Sequence, residues 1–270
     1  MNSANTRWAN ELFDKSPAKQ AKLENIVALL PDLEGKTCLD IGGDNGVISY
    51  LLRLRGGRWY SADLDDSTVT AIRQLVKDDV YKIDGTRTPF EDELFDVVVI
   101  VDFLEHIDDD YAFISELARI MKPGGVLIVN VPHLKPHSLI NRFRHLIGLT
   151  DEAHGHVRPG YSRESLRQVL SPHFATATLT TYSRSFSELV DTSLNGSIAV
   201  LRALRGERQK SRKGTVVTGN EWKKHTSRRF LLALAYPLIS LLVWCDRLLF
   251  SQEGYKLIGR ARRTDSVNGA

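Results

Sequence analysis

The chain has 270 residues, a net charge of +3, and 42 % hydrophobic and 26 % charged residues. This balance is that of an ordinary globular protein, so a disordered, collagen-like or coiled-coil chain is excluded. The length suits one α/β domain with an elaboration, or two small domains. Two cysteines, Cys38 and Cys245, cannot build a disulfide scaffold, and the lack of a Cys-x-x-Cys pair excludes a finger-type structural zinc.

The N-terminal segment Met1–Asp14 is polar and lacks the apolar core of a signal peptide. With so few cysteines, nothing indicates an oxidising compartment. The expected location is therefore the cytoplasm or its membrane face.

Helices and strands alternate over the first half of the chain. Apolar spacing predicts one or two helices over Ser3–Leu30, ended by Pro31. The predicted strands that follow are Thr37–Ile41, Arg58–Asp63, Val80–Asp84, Phe95–Val101 and Val126–Val131. The predicted helices between them are Asn45–Leu54, Ser67–Lys77 with Ser67 as N-cap, and Asp109–Met121. This alternation predicts right-handed βαβ units and a doubly wound parallel sheet, and the all-apolar run Phe95–Val101 predicts its centre.

The alternation of predicted helices and strands becomes less regular after His133. We predict a helix over Ser162–Leu170 capped by Ser162, a strand over Phe174–Tyr182, and a last strand over Tyr255–Arg262. The predicted units are a helical N-terminal cap (1–33), a sheet domain (34–182), a helical insert (183–253), the final strand (254–263) and a tail (264–270).

Positive charge concentrates in the insert. Between Ser183 and Phe230, eleven Lys and Arg face four acids, a net +7, which leaves −4 for the rest of the chain. Such asymmetry indicates an anionic partner for this region, and a solvated basic loop is the alternative.

A glycine-rich turn, Asp40-Ile41-Gly42-Gly43-Asp44-Asn45-Gly46, joins the first strand to the first helix of the sheet domain. Glycines allow a tight turn and a close approach of ligand to backbone. Asp63 and Asp84 end the next two strands, and a carboxylate there can accept hydrogen bonds from ribose hydroxyls. The turn and these acids predict a nucleotide-type ligand at the carboxyl ends of the strands.

Two ligands compete for this turn. A dinucleotide pyrophosphate needs backbone N–H groups without a nearby anion. The carboxylates of Asp40 and Asp44 would repel it and would favour a ligand with an ammonium and a sulfonium. The sequence therefore favours S-adenosylmethionine over NAD.

These residues resemble those of the class I S-adenosylmethionine-dependent methyltransferases, in the branch that includes the quinone O-methyltransferases. The turn is similar to their first motif, although Asp44 stands at the middle glycine, and Ile83-Asp84-Gly85 resembles their adenine-contacting acid motif. Pro89–Ile107 is similar to their fourth-strand motif with its Leu-Glu-His ending, and Met121–Val129 to the turn and strand that follow. The resemblance implies a doubly wound Rossmann-like sheet, mostly parallel with its last strand antiparallel, with the helical insert between the last two strands.

The resemblance also implies S-adenosylmethionine as the cofactor. Together with the turn analysis, it predicts a set of cofactor-binding residues around the strand ends. These are Asp40, Gly42, Gly43, Asp44, Gly46, Asp63, Asp84, Gly85, Val101 and Asp102.

Methyl transfer to a hydroxyl gains from a general base, and histidine titrates near neutral pH. We predict His133, one residue past a strand end, as the base, with His156 second and His106 and His154 as further candidates. A hydrogen-bonded structural role is the alternative for each. Asp102, Glu105 and His106 could instead hold a divalent cation, but we assign no metal.

The run Phe230–Cys245 has sixteen residues without a charge. A membrane span needs about 20, so we do not expect one. The basic and apolar stretch 205–250 instead predicts an interfacial element on an anionic membrane. A lid or a homodimer interface packed against protein is the alternative, and nucleic acid is not expected because few aromatic residues interleave with the basic ones.

The prediction is an enzyme that transfers a methyl group to a small or lipid-linked acceptor, on oxygen, at the cytoplasmic membrane face. An N- or C-methyltransferase of a soluble metabolite is the first alternative. The second is a cofactor-binding scaffold without catalysis, because one fold hosts many functions.

Overall fold

The structure is a computed structural model that describes residues 4–135, 138, 140–141, 156–190, 192–193, 236–237 and 239–264. Its helices are α1 Ala4–Asp14, α2 Pro17–Val27, α3 Val47–Arg53, α4 Asp66–Val76, α5 Asp110–Ile120 and α6 Arg163–Leu170. Its strands are β1 Thr37–Ile41, β2 Arg58–Asp63, β3 Val80–Lys82, β4 Phe95–Val101, β5 Met121–Pro132, β6 Phe174–Tyr182 and β7 Lys256–Arg263. Short 3₁₀ helices lie at Leu104–His106 and Asp246–Leu249.

All seven strands form one sheet in the order β3-β2-β1-β4-β5-β7-β6. Strands β1 to β5 pair in parallel, whereas β7 is antiparallel to both of its neighbours. The predicted fold class, mostly parallel with an antiparallel last strand, is confirmed. Of the predicted strands, the third ends two residues earlier than expected, at Lys82, and the fifth begins at Met121.

One edge of this sheet collects the strand ends. Ile41 lies opposite Ala62 and Ile100, so β1, β2 and β4 end side by side. We call this the carboxyl edge, where Ile41, Asp63, Val101, Pro132 and Tyr182 end strands β1, β2, β4, β5 and β6. The antiparallel β7 begins there, at Lys256. Open parallel sheets bind ligands at this edge, where the strand order reverses.

The centre of the sheet is covered on both faces, as the sequence of β4 predicted. Val98 and Ile100 pack in one apolar cluster with Phe113 of α5. Val97 and Val99 pack in another cluster. Alternate side chains of a strand point to opposite faces, so each face has its own core.

The N-terminal helix α2 is fixed firmly to one of these cores. Ser16 caps it by accepting a hydrogen bond from the Lys19 backbone N–H at 3.4 Å, and Pro17 occupies the first turn. Leu23 and Ile26 are buried in the cluster that holds Val97 and Val99. The remaining polar face of α2 is thereby held in one orientation.

The two predicted N-caps had different outcomes. Ser162 caps α6 in a reciprocal arrangement with Ser165, as predicted. The prediction of Ser67 as N-cap is wrong, because α4 already begins at Asp66 and Asp65 is the extended residue before it.

Parts of the predicted insert are described. Residues 185–190 and 239–245 are helical, between β6 and β7. The basic loop, from 205 to 229, and the beginning of the apolar run, 230–235, lie outside the described residues, as does His154. Within the described ranges, no helix has the length and apolar character needed to cross a bilayer. The domain boundaries remain a prediction.

Candidate functional site

The glycine-rich turn is organised by the buried carboxylate of Asp40. Its oxygens accept hydrogen bonds from Ser49 and Arg53 of α3 and, at 2.7 Å, from Ser61 of β2. Burial raises the pKa of Asp40, and the Arg53 guanidinium opposes that shift. Asp40 therefore joins β1, α3 and β2 beneath the turn and acts on a ligand through the position of the backbone.

Gly42 lies where a side chain has no room. Its φ is +90°, and a Cβ there would come within 2.1 Å of the Val101 carbonyl oxygen. Gly43 is restricted by a side chain, since its Cβ would lie 2.4 Å from Ser49 Oγ. The backbone of the turn thus packs directly against the end of β4. The other side of the turn faces the carboxyl edge.

Two lysines of α2 reach the acids around this turn. Lys19 forms an ion pair with Asp44 at 3.2 Å. Lys22 forms one with Asp102, which also pairs with Lys256 of β7 at 3.3 Å. Burial alone would raise the pKa of Asp102, but the two lysines hold it below its usual range. The ionised carboxylate of Asp102 therefore connects α2, β4 and β7.

Cations that the sequence analysis did not include face the two carboxylates beside the glycines. Asp40 is paired with Arg53 and Asp44 with Lys19. The turn is close to electrically neutral, because each acid has a cation within 4.0 Å. These ion pairs reduce the negative field that the sequence analysis expected at this turn.

Asp63 and Asp84 end neighbouring segments but differ in surroundings. Asp63 is fully buried, and its Oδ1 accepts a hydrogen bond from the Leu64 backbone N–H at 2.7 Å. Asp84 is exposed, and hydrogen bonds from Thr86 lower its pKa. Gly85, with φ of +86°, makes the turn after it. Both acids lie on the carboxyl-edge side of the sheet, as predicted.

A second cluster follows β4. Glu105 and His106 are buried, and the His106 ring lies edge-to-face with that of His156, 4.9 Å between centroids. One ligand atom from each of the three lies within 4.8 Å of the others. Among the described residues, this trio could hold a metal ion, whereas Asp102, considered for that role from sequence, instead contacts Lys22 and Lys256.

The segment that carries His156 is held by buried polar contacts. Arg158 pairs with Asp110 at the start of α5, and the Tyr161 hydroxyl donates to the same carboxylate at 2.8 Å. Burial, and then the hydrogen bond to Asp110, raises the pKa of Tyr161. These contacts place His156 beside His106.

His133 lies past the end of β5, in a defined tautomer. Its Nδ1 is 2.8 Å from the Gly254 carbonyl oxygen, which can only accept a hydrogen bond, so Nδ1 carries the proton. In the neutral ring, Nε2 then holds the lone pair. Glu253 lies 3.9 Å from Nε2 and is positioned to stabilise a proton taken up there. The role of His133 as the base remains a prediction, as do the roles of His156 and His106.

Comparison with known proteins agrees with this geometry. Residues 39–129 match a family described as "Methyltransferase domain". Over 114 residues the chain is 30 % identical to a ubiquinone biosynthesis O-methyltransferase of Hahella chejuensis. This match covers 40 % of this chain and 48 % of the relative. Over 97 residues it is 37 % identical to a demethylmenaquinone methyltransferase of Mycobacterium sp., covering 35 % and 41 %.

A solved structure resembles the whole chain. It is an S-adenosylmethionine-dependent methyltransferase from Thermotoga maritima, with a TM-score of 0.56 and 18 % identity over 96 % of this chain and 97 % of that one. This likeness shows the fold. Residues 39–129 thus match a methyltransferase domain, and the match implies S-adenosylmethionine as its cofactor. This part of the chain resembles the quinone methyltransferases. The chain spans about half the length of the curated relatives it matches.

The residues of this methyltransferase domain fit the cofactor. A Cβ at Gly42 would meet Val101 and one at Gly43 would meet Ser49, so these glycines let the turn pack closely at the ends of β1 and β4, where the cofactor is predicted. Asp63 has the chemistry to accept hydrogen bonds from ribose hydroxyls. Gly46 opens α3, and Val101 ends β4 against Gly42. Direct contact of each predicted residue with the cofactor remains a prediction.

Sequence reasoning missed the polar partners of Asp102. Besides the lysines, Asn130 donates to Asp102 at 3.1 Å, and the Tyr182 hydroxyl donates to Asn130 at 2.6 Å. These residues come from four distant parts of the chain. The only local signal was the spacing of Lys19 and Lys22, which places two cations on one face of a predicted helix.

The close packing of Gly42 against Val101 can be tested by comparison with Gly35, which also has a positive φ but has no neighbour near its Cβ position. We expect Gly35→Ala, at φ +68° with nothing within 4 Å, to lower the free energy of unfolding by about 1 kcal/mol. Gly42→Ala should cost about 1–3 kcal/mol more, because its Cβ meets Val101. Urea unfolding measures both, and calorimetry should show weaker S-adenosylmethionine binding in Gly42→Ala only. Equal losses in the two variants would contradict the close packing.

Proposed function

We propose that the protein is an S-adenosylmethionine-dependent methyltransferase that methylates a hydroxyl of a small or lipid-linked acceptor. The observation that carries this proposal is that Gly42, Asp63 and a histidine with a free Nε2 lone pair, His133, share the carboxyl edge of one sheet. The names of the relatives, which include two kinds of quinone methyltransferase, support an aromatic or lipid-linked acceptor.

When bound, the cofactor supplies an electrophilic methyl group on a sulfonium with a neutral leaving group. The protein then needs chiefly to align the reactants and exclude water. The turn and Asp63 orient one reactant. His133 can take the acceptor's hydroxyl proton on Nε2 while Gly254 holds Nδ1 in place, and Glu253 offsets the positive charge of the imidazolium.

The two alternatives, an N- or C-methyltransferase and a scaffold without catalysis, depend less on the orientation of His133. A carbon or amine nucleophile gains less from a base that receives a hydroxyl proton, and a scaffold without catalysis needs none. The oriented imidazole of His133 therefore favours an oxygen acceptor. A metal held by Glu105, His106 and His156 would offer a second way to activate such a hydroxyl.

Cofactor binding is tested with Asp63. We expect Asp63→Asn to weaken binding of S-adenosylmethionine at least about 10-fold, because a carboxylate that accepts from two ribose hydroxyls is lost. The matched control is Asp96→Asn, which removes a hydrogen-bonded carboxylate at the opposite end of β4. Calorimetry measures both. No binding by the wild-type protein would refute the proposed function.

The role of His133 is tested by label transfer from methyl-labelled S-adenosylmethionine into a bacterial lipid extract. We expect His133→Gln to lower the initial rate about 100-fold or more, without a change in cofactor affinity. His173→Gln is the control, since His173 precedes β6 at the far end of the sheet. A full rate in His133→Gln would remove that residue from catalysis.

We further propose that the enzyme works at an anionic membrane surface on the cytoplasmic side. Four large apolar side chains are exposed within residues 241–250 of the insert, and two of them, Leu248 and Phe250, are 65 % and 83 % exposed. The others are Leu241 and Trp244. Exposed apolar side chains close together indicate an interaction surface, and the basic stretch that precedes them in the sequence favours lipid headgroups.

Sedimentation with phosphatidylglycerol vesicles at low salt tests the surface proposal. We expect the wild-type protein to sediment and the Trp244→Ser/Phe250→Ser double variant to remain largely in solution. Leu54→Ser, which removes an exposed apolar side chain from the end of α3, should sediment like wild type. Equal sedimentation of all three proteins would exclude a lipid contact through these residues.

A further inference from the structure

We propose that the ammonium of Lys135 binds an anionic oxygen group, a carboxylate or a phosphate, on the methyl acceptor. This inference rests on the proposed function and adds the charge of the acceptor to it. It concerns the part of the carboxyl edge beyond β4, where β5 ends and β7 begins.

The first observation is how Lys135 is held. Its Nζ donates a hydrogen bond to the Glu253 carbonyl oxygen at 2.6 Å and lies 4.1 Å from the centroid of the Tyr255 ring. Both contacts are with groups that carry no net charge. An ammonium has three N–H donors, so it can keep these contacts and donate to a further oxygen. The side chain is thus oriented before a ligand binds, which lowers the entropic cost of binding one.

The second observation is the electrostatic surroundings of this half-buried ammonium. The Glu253 carboxylate pairs with Arg163 at 3.1 Å, and Glu188 is buried. Within the described ranges, neither of these acids nor any other carboxylate forms an ion pair with Lys135. Burial lowers the pKa of Lys135, and the negative charges of Glu253 and Glu188 oppose this shift only in part. A cation removed from water without an opposite charge beside it favours an anionic ligand.

A second cation at this edge is held in a similar way. Arg184, two residues after β6, donates from Nε to the Gln252 carbonyl oxygen at 2.9 Å. Its guanidinium also forms no ion pair with any residue that the structure describes, and the Asp246 carboxylate accepts from the Arg184 backbone N–H instead. Gln252 and Glu253 are consecutive, so their Cα atoms lie about 3.8 Å apart. The segment before β7 therefore holds two positive side chains by its carbonyl oxygens, which adds to the attraction for an anion.

The third observation is that Lys135 lies beside the proposed base. The Nδ1 of His133 is 2.8 Å from the carbonyl oxygen of Gly254, and Lys135 donates to the carbonyl oxygen of the residue before it. Glu253 contacts both side chains, because its carbonyl accepts from Lys135 and its carboxylate lies 3.9 Å from His133 Nε2. An acceptor whose hydroxyl meets Nε2 therefore lies next to the ammonium.

The sheet separates Lys135 from the residues predicted to bind the cofactor. Gly42 follows β1 and Asp63 ends β2, whereas Lys135 follows β5. Because β4 lies between β1 and β5, the end of β5 is two strand spacings, about 10 Å, from that of β1 and about 14 Å from that of β2. A ligand at Lys135 is thus on the side of the base, where the acceptor has to lie.

This arrangement distinguishes acceptors by charge. A charge-assisted hydrogen bond from an ammonium to an anionic oxygen is stronger than one to a neutral oxygen. A neutral acceptor of the same shape would cover Lys135 and leave its charge without a partner, at a cost in free energy. The site therefore favours a hydroxylated acid or phosphate over its uncharged analogue.

The charge of the labelled product tests the inference. Wild-type protein transfers label from methyl-labelled S-adenosylmethionine into lipid and aqueous extracts of bacterial cells, each dispersed in an uncharged detergent. Since methylation of a hydroxyl leaves the anionic group intact, we expect most of the labelled product to be retained on an anion-exchange resin and eluted by salt. A labelled product that is not retained would overturn the inference and leave the proposed function standing.

A second measurement assigns the anion to Lys135. We expect Lys135→Met to raise the amount of extract that gives the half-maximal rate about 10- to 100-fold, and to keep the maximal rate within about threefold. Lys135→Arg keeps the charge and can stack on Tyr255, so it should retain most of the apparent affinity. The control is Lys122→Met, which breaks an ion pair with Asp96 away from the carboxyl edge. No change in Lys135→Met, or an equal change in the control, would overturn the inference.

The remaining outcomes are separable, once thermal unfolding has shown that each variant is folded. Calorimetry with S-adenosylhomocysteine should give Lys135→Met the wild-type affinity within about twofold. A loss as large as that for the acceptor would place the lysine in the cofactor site and overturn the inference. A defect seen only with extract in phosphatidylglycerol vesicles, and not in uncharged detergent, would make the ligand a lipid headgroup, with the same consequence. If wild-type protein labels nothing in either extract, the proposed function itself fails.

Discussion

The site depends on one buried carboxylate. Asp40 ties Ser49 and Arg53 of α3 and Ser61 of β2 to the end of β1, so the turn between β1 and α3 has one geometry. Loss of any of these three partner side chains would leave part of the buried carboxylate without compensation, which is costly in a low-dielectric interior. Because this network fixes Gly42 and Gly43, it also fixes the backbone groups that a cofactor would meet.

Charge at the carboxyl edge is arranged differently from what the sequence suggested. The acids near the glycine turn are each matched by a cation from another element: Arg53 for Asp40, and Lys19 for Asp44. One strand further along, Lys22 and Lys256 both pair with the carboxylate of Asp102. The cofactor assignment therefore stands on the turn, on Asp63 and on the matched domain, and not on a negative field.

The sheet could be predicted from sequence because its signals are local. The apolar run of β4 and the β-branched strands on either side depend only on period and burial. The same holds for Ser162, whose cap needs a partner three residues away. The polar group at Asp102 could not be predicted, since Lys22, Asn130 and Lys256 meet only once the sheet order is fixed. The grouping of His156 with Glu105 and His106 has the same cause, a contact across about 50 residues.

The structure gives the N-terminal region a specific relation to the site. From sequence, residues 1–33 were a cap of helices with no assigned chemistry. In the fold, one side of α2 buries Leu23 and Ile26, while the other side holds Lys19 and Lys22 against acids that follow β1 and β4. One face of α2 thus makes apolar contacts with the core, and the other makes ion pairs at the carboxyl edge. The ion pairs of Lys19 with Asp44 and of Lys22 with Asp102 therefore connect the N-terminal helices to the strand ends where the cofactor site is predicted.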